Sequence, residues 1–163
     1  MNFNLCFACV LLMNWIQRRL VMIFCLVDST TTHTILKDKK YFQQLTLSKA
    51  KINTISGSSN LIEGSRRANI MLSKRTKIRI DDTLYSSKSR RNLLSFKDIR
   101  GNAYHIKTNI EGNEEYIYIT SMILGQKLIL EKLPIFSSGL YYTTMRTIET
   151  NVIVHQKCSD PNI

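Results

Sequence analysis

From residue 20 onward, the chain consists of short apolar runs separated by turn-forming residues. Each run is rich in β-branched or aromatic residues, which is typical of strands. The runs that predict strands are 21–27, 51–55, 69–72, 77–80, 104–108, 116–120 and 126–133. Many short strands with turns at close spacing predict one mainly β domain, built as a small barrel or a sandwich.

Two of these regions carry a more specific signal. Residues 77–80 read Lys, Ile, Arg, Ile, so a strand there has both isoleucines on one face and both cations on the other. Gly112-Asn113 lies between two strand-like runs and suits the tight turn of an antiparallel hairpin. We therefore favour an antiparallel arrangement of the strands.

Helical signals are few and short. They are confined to 37–44 and to 95–99, where Ser95 is a candidate N-cap and Asp98 follows at the third helical position. The predicted fold class is therefore mainly β, a small closed or partly open antiparallel β-barrel with one or two short helices.

The first residues do not follow this pattern. Residues 5–16 are nearly all apolar, Arg18 and Arg19 follow, and 20–27 is apolar again. Neither run alone spans a bilayer, and the order of charge and apolar core does not fit a signal peptide. We treat 1–19 as a leader of uncertain status, which includes a mispredicted or foreign start. Cytoplasmic residence is expected, and a membrane anchor is the least favoured alternative.

The four cysteines do not form a disulfide framework. Cys6, Cys9 and Cys25 lie in or beside the apolar leader, and Cys158 is near the other end of the chain. Cys6 and Cys9 form a C-x-x-C pair, but no second ligand pair follows at zinc-finger spacing. The sequence therefore predicts neither a metal nor a cofactor.

The formal net charge of +11 is unevenly distributed. Residues 66–91 contain nine Lys or Arg residues but only two carboxylates, Asp81 and Asp82. Such a run can hold phosphate without reading sequence, yet outward-facing strand residues are also commonly charged. No aromatic residue is interleaved before Tyr85, which disfavours a stacking platform for single strands. We weight a solvated face above a nucleic-acid-associating face.

The most informative segment for chemistry is 24–33, an apolar strand that stops at Asp28 and continues into Ser29 and Thr30. This order places a carboxylate at the mouth of a sheet. Two such carboxylates held close together cannot both ionise cheaply, so they share a proton and activate a water, with a neighbouring hydroxyl orienting them. Taken alone, however, Asp28 is more simply explained as the cap of a turn.

The order of features from about residue 26 to residue 99 resembles the protease region of copia-type retrotransposon Gag-Pol polyproteins. Asp28-Ser29, then Thr31-Thr32-His33, is similar to the family's catalytic loop, and Tyr41-Phe42 is similar to an aromatic position after it. The remaining matches are a flap loop at 55–64 with Gly57 and Gly64 as bending points, the segment 80–85, and Arg90-Arg91-Asn92-Leu93-Leu94-Ser95, whose Asn-Leu-Leu-Ser leads into a short helix.

The resemblance implies a retropepsin-type barrel over 20–100, followed at 101–163 by a strand-rich link toward a truncated pre-integrase segment. It implies an aspartic endopeptidase that works as a homodimer on the polyprotein, with Asp28, Ser29 and Thr30 as catalytic residues, in the cytoplasm or in virus-like particles. Thr30 stands where the family has Gly or Ala, and its β-branched side chain adds bulk at a crowded turn. We therefore expect weak or no activity. The alternative is a catalytically silent β-barrel remnant with a basic nucleic-acid-associating face.

Overall fold

The computed structural model describes residues 22–54, 57–148 and 153–156. Residues 1–19, the predicted leader, lie outside this part of the chain. In order, the strands are β1 (Ile23–Asp28), β2 (Ile35–Leu36), β3 (Gln44–Thr54), β4 (Gly57–Leu72), β5 (Lys77–Tyr85), β6 (Asn92–Ser95), β7 (His105–Glu111), β8 (Glu114–Ile123), β9 (Gln126–Ser137), β10 (Leu140–Thr147) and β11 (Ile153–Gln156). One α-helix, α1 (Phe96–Gly101), follows β6, and a 3-10 turn at Lys39–Tyr41 precedes β3.

The strands form one mixed sheet that curls into a partial ring. Their order is β11-β3-β4-β5-β2-β6-β1-β10-β9-β8-β7, and an additional pairing of β4 with β10 joins the two ends of a six-strand segment. Three pairings are parallel, namely β1 with β6, β2 with β5, and β3 with β11. The prediction of a mainly β fold is confirmed, although the ring falls short of a formal barrel and is antiparallel only in part.

The core lies inside this ring, and β1 contributes fully buried side chains to it. Along β1, Cys25 and Val27 are fully buried, and they pack with Leu94 of β6 and Met145 of β10. Burying a side chain of this size stabilises a fold by roughly 1.5–3 kcal/mol. Since β1 has a hydrogen-bonded neighbour on each side, its course and its end point are strongly constrained.

The local sequence signals are confirmed in several places. In β5, Ile78 and Ile80 are buried and Lys77 and Arg79 are exposed, as the period-two pattern predicts. The turn between β7 and β8 has Gly112 at a φ of +63°, a conformation that glycine adopts without a steric penalty. Helix α1 begins after Ser95, whose side chain accepts a hydrogen bond from the Lys97 amide at 3.2 Å.

The second helical signal, over 37–44, is not realised as an α-helix. The chain makes one 3-10 turn there, in which the Asp38 carboxylate accepts a hydrogen bond from the Lys40 amide, and β3 begins at Gln44. Tyr41 and Phe42 are instead buried in the core. The pairing of β3 with β4 and β11 begins at or directly after this segment, so tertiary contacts outweigh the local helical signal.

A buried carboxylate connects the two halves of the described chain. Glu131 of β9 is 0% exposed and accepts hydrogen bonds from the turn between β4 and β5. The donors are the Ser73 hydroxyl at 2.7 Å, the Lys74 amide at 2.9 Å and the Thr76 amide at 3.4 Å. Such bonds are needed to offset the cost of removing a carboxylate from water.

In the part of the chain that the structure describes, no helix has the length and apolar character required to cross a membrane.

Candidate active site

Asp28 is the last residue of β1, at one end of the ring. Its register partners are Ser95 of β6, which runs parallel to β1, and Leu140 of β10, which runs antiparallel. The carboxylate therefore lies directly beside the Asn92–Ser95 strand. Asp28 is half-buried, whereas Ser29 and Thr30 are exposed.

The Asp28 carboxylate is hydrogen-bonded by the residue two positions further on. The Thr30 amide donates to Oδ1 at 2.8 Å, and the Thr30 hydroxyl lies 2.9 Å from Oδ1 and 3.0 Å from Oδ2. This is the geometry of an Asx turn, which is the structural role that the sequence left open beside the catalytic one. Asp28, Ser29 and Thr30 thus lie together at the strand exit, and their catalytic role stays a prediction.

A buried polar network holds the loop after Asp28 in place. The Ser95 hydroxyl donates to the Thr31 carbonyl at 2.6 Å, and the Ser95 amide donates to the Thr34 hydroxyl at 3.1 Å. The Thr34 hydroxyl in turn donates to Asp98 Oδ2 at 2.6 Å. Because Thr34 and Ser95 are both fully buried, these bonds form in a low-dielectric setting, where they are stronger than in water. They fix the loop against the start of α1.

Thr34 and Asp98 were not identified as supporting residues by sequence reasoning. Asp98 was noted only as a helix-capping position, and its actual partner lies 64 residues away. The sequence signal for it was local, whereas the contact depends on the parallel pairing of β1 with β6.

His33 interacts with its surroundings rather than with Asp28. Its Nδ1 lies 2.9 Å from the Thr32 hydroxyl, and its Nε2 lies 3.6 Å from Asp82 Oδ2, an exposed carboxylate on β5. His33 is therefore a polar residue beside the loop.

Residues 57–64 of the predicted flap loop belong to β4, which forms a hairpin with β3. Thr54 pairs with Gly57, and the turn residues 55 and 56 lie outside the described residues. Gly64 is inside β4 rather than at a bend, paired with Leu47 on one side and Tyr85 on the other. A Cβ added there would lie 2.7 Å from the Thr46 carbonyl oxygen, so Gly64 permits a close approach of β3.

The residues of the basic run, 66–91, do not form one face. Arg67 and Arg79 both contact Asp81, at 2.5 Å and 3.4 Å, on the outer surface of β4 and β5. Lys74 and Arg75 belong to the β4–β5 turn, and Arg90 and Arg91 precede β6. The β4–β5 portion therefore agrees with a solvated, partly neutralised face.

Among the described residues, no cluster of three or more His, Cys, Asp or Glu side chains could hold a metal ion. Cys25 lies three residues before Asp28 in β1, and burial raises the pKa of its thiol to about 12. A thiol with so high a pKa stays protonated at neutral pH, so it is not a nucleophile in the folded chain. The chemistry available at this end of the ring is that of the Asp28 carboxylate and the adjacent hydroxyls.

The fold and this site define a small mainly β domain in which a carboxylate ends a central strand beside a short strand-to-helix segment. Residues 25–104 match the model of the Pol polyprotein beta-barrel domain family, and this part of the chain is the β-barrel domain of a Pol polyprotein. The matched residues include Asp28, the β3–β4 hairpin, the Asn92–Ser95 strand and α1. A search of curated proteins found no match to the chain.

Proposed function

We propose that this Pol polyprotein domain is a degenerate retropepsin-like aspartic endopeptidase of a copia-type retrotransposon, weakly active or inactive. The observation that carries the proposal is the half-buried Asp28 carboxylate at the exit of β1, in register with Ser95. The match of 25–104 to a Pol polyprotein domain supports it. The substrate would be the polyprotein itself, in the cytoplasm or in a virus-like particle.

The proposed mechanism requires two copies of the chain. A two-fold axis would bring the Asp28 carboxylates of both copies together, and mutual repulsion would leave one proton shared between them. The ionised member of the pair would activate a water to attack the scissile peptide carbonyl, and the protonated member would stabilise the developing oxyanion. Ser29 and Thr30 would orient the two carboxylates.

The hydrogen bonds of Thr30 give a physical reason for weak activity. Thr30 directs two donors at the Asp28 carboxylate, its amide toward Oδ1 and its hydroxyl, whose single proton is within reach of both oxygens. Donors directed at a carboxylate occupy lone pairs that a shared proton and a water would use. Gly or Ala at this position would keep the amide contact and remove the hydroxyl.

The test compares cleavage of peptides that span a Gag-Pol junction by the parent chain, Thr30→Ala and Asp28→Asn. We expect weak or undetectable pepstatin-sensitive cleavage by the parent. Thr30→Ala should cleave roughly tenfold faster, because a charge-assisted hydrogen bond is removed. Asp28→Asn should show no cleavage. The asparagine can still accept the Thr30 amide bond, so this variant retains the turn.

Sedimentation of the same proteins supplies the control for assembly, because a chain that stays monomeric cannot pair two carboxylates. If the parent, Thr30→Ala and Asp28→Asn are equally inactive although they dimerise, the peptidase proposal is wrong. A catalytically silent β domain would then be the better description.

A further inference from the structure

A cleft lies at the end of β1 opposite to Asp28. It is about 430 Å³ in volume, and its lining includes Phe24, Lys37, Arg90, Arg91, Asn92 and Phe136. A second cleft of about 460 Å³ adjoins it and shares Ile23, Lys37 and Asn92 with it. Asp28 lies five positions after Ile23 in β1, which corresponds to roughly 16 Å along the strand.

Of the residues that the structure describes, those lining the first cleft include three cations and no carboxylate. Lys37, Arg90 and Arg91 take part in none of the ion pairs recorded among the described residues, whereas Arg67, Arg79, Lys40 and Lys132 each face an Asp or Glu. The Lys37 ammonium donates to the Arg90 carbonyl at 3.4 Å, which holds two of these cationic residues side by side. This concentration of unneutralised positive charge favours an anionic ligand.

Aromatic rings form one wall of the same cleft. Phe24 stacks on Tyr142 with ring centroids 5.5 Å apart, and Phe136 meets Phe24 edge-on at 5.9 Å. The Arg91 guanidinium lies over both phenylalanines, 5.4 Å from the Phe24 centroid and 5.0 Å from the Phe136 centroid. Phe136 is nevertheless 47% exposed. The cleft thus offers an exposed ring and a guanidinium held in place by aromatic contacts.

We infer that this cleft binds single-stranded nucleic acid. Unpaired bases stack on aromatic rings and on arginine planes, which Phe136 and Arg91 supply, while Lys37 and Arg90 contact the phosphates. A duplex hides the faces of its bases and would use only the charges. Sequence reasoning missed the site because Phe24 and Phe136 are far from Arg91 in sequence. They meet it only through the pairing of β1 with β6 and β10, and of β10 with β9.

The test measures fluorescence anisotropy of a labelled oligothymidylate of about 12 nucleotides, a length typical of one single-strand site, and of a duplex of the same length, over a range of salt concentrations. We expect tighter binding of the single strand. Phe136→Leu should weaken it about tenfold with an unchanged salt slope, since a stacking surface is lost but no charge. Arg90→Ala should reduce the slope of log K against log salt by about one.

Arg79→Ala is the matched control for Arg91→Ala, because both remove one exposed guanidinium from the same basic run. Arg79→Ala should change affinity less than about twofold, while Arg91→Ala should weaken binding at least tenfold. Arg91→Lys keeps the positive charge but lacks the planar guanidinium on which a base could stack. The slope of log K against log salt should therefore be unchanged, while binding should still be weaker. This variant and Phe136→Leu test the site even if Arg91→Ala fails to fold.

The inference is overturned if the duplex binds as tightly as the single strand, if Arg79→Ala and Arg91→Ala weaken binding equally, or if Phe136→Leu has no effect. It does not depend on peptidase activity. Asp28→Asn should leave nucleic-acid binding unchanged, so failure of one proposal is distinguishable from failure of the other.

Discussion

The family-matched segment, 25–104, and the segment after it, 105–148, contribute to the ring in different ways. The matched segment supplies to the ring all of β2, β4, β5 and β6 and the last four residues of β1. The later segment supplies β10 alone. Yet β10 pairs with all six residues of β1 and with three residues of β4. The ring that holds Asp28 is therefore completed by residues beyond the matched segment.

The two segments also differ in how they use apolar side chains. Of the large apolar side chains that the described residues leave exposed, only Leu61 belongs to the matched segment. The others are in the later segment, at Ile110, Met122, Ile123, Leu124, Leu128, Ile129, Ile135 and Phe136. In the later segment, the side chains of β10 that point into the ring are buried, whereas much of the β8–β9 hairpin is exposed. Its structural importance is concentrated in a few contacts, which mutations can separate.

The largest expected effect is that of removing the later segment altogether. A chain ending after residue 104 lacks β10, so β1 becomes an edge strand and its buried residues Cys25 and Val27 lose a covering neighbour. An edge with unpaired hydrogen-bonding groups and exposed core residues is not expected to support a stable fold. Thermal unfolding followed by circular dichroism should show no cooperative transition.

A chain ending after residue 148 is the matched control, because it keeps every strand of the ring. It should unfold cooperatively. A cooperative transition of similar midpoint in both truncations would show that the matched segment folds by itself, which contradicts the role assigned to β10.

A smaller but still large effect is expected for Glu131→Gln. Both oxygens of the Glu131 carboxylate accept hydrogen bonds, from Ser73, Lys74 and Thr76 of the β4–β5 turn. In the glutamine variant, one of these oxygens is replaced by an NH₂ group, which is itself a donor and cannot accept. Leaving buried donors unpaired costs about 1–3 kcal/mol. Chemical denaturation should therefore show a loss of about that size in the free energy of unfolding. A loss below about 0.5 kcal/mol, the range of ordinary surface substitutions, would contradict the view that Glu131 ties the two segments together.

Features that depend on sequence neighbours could be predicted from the sequence, and features that depend on the pairing of distant strands could not. The faces of β5, the Gly112 turn and the Ser95 cap depend on neighbours in sequence, so local pattern predicted them. The partners of Glu131 and Asp98 are 55–64 residues away and depend on which strands pair, which a period-two pattern does not encode. The same limit hid the cleft at Phe136. The position of Asp28 beside Ser95 likewise depends on the parallel pairing of β1 with β6, which the local pattern does not encode.

The smallest expected effect is at Asp81, an exposed carboxylate that joins strands within the matched segment. Its side chain is 65% exposed and contacts Arg67 and Arg79, in contrast to the fully buried Glu131. The hydrogen bond from Arg67 holds the pKa of Asp81 below its usual range. Because solvent screens exposed pairs, Asp81→Asn should lower the free energy of unfolding at pH 7 by less than about 1 kcal/mol.

The pH dependence of that small effect has a defined sign. Since the Asp81 carboxyl has a lower pKa in the folded than in the unfolded chain, its contribution is complete above the unfolded pKa, about 3.9. It is lost as pH falls through the lower, folded value. The difference in unfolding free energy between the parent and Asp81→Asn should therefore be constant near neutral pH and shrink toward zero in acid. An increase of this difference in acid, or a difference as large as the loss in Glu131→Gln, would contradict the contrast. Asp81 would then not be a weak, exposed link within one segment beside Glu131 as a strong, buried link between two.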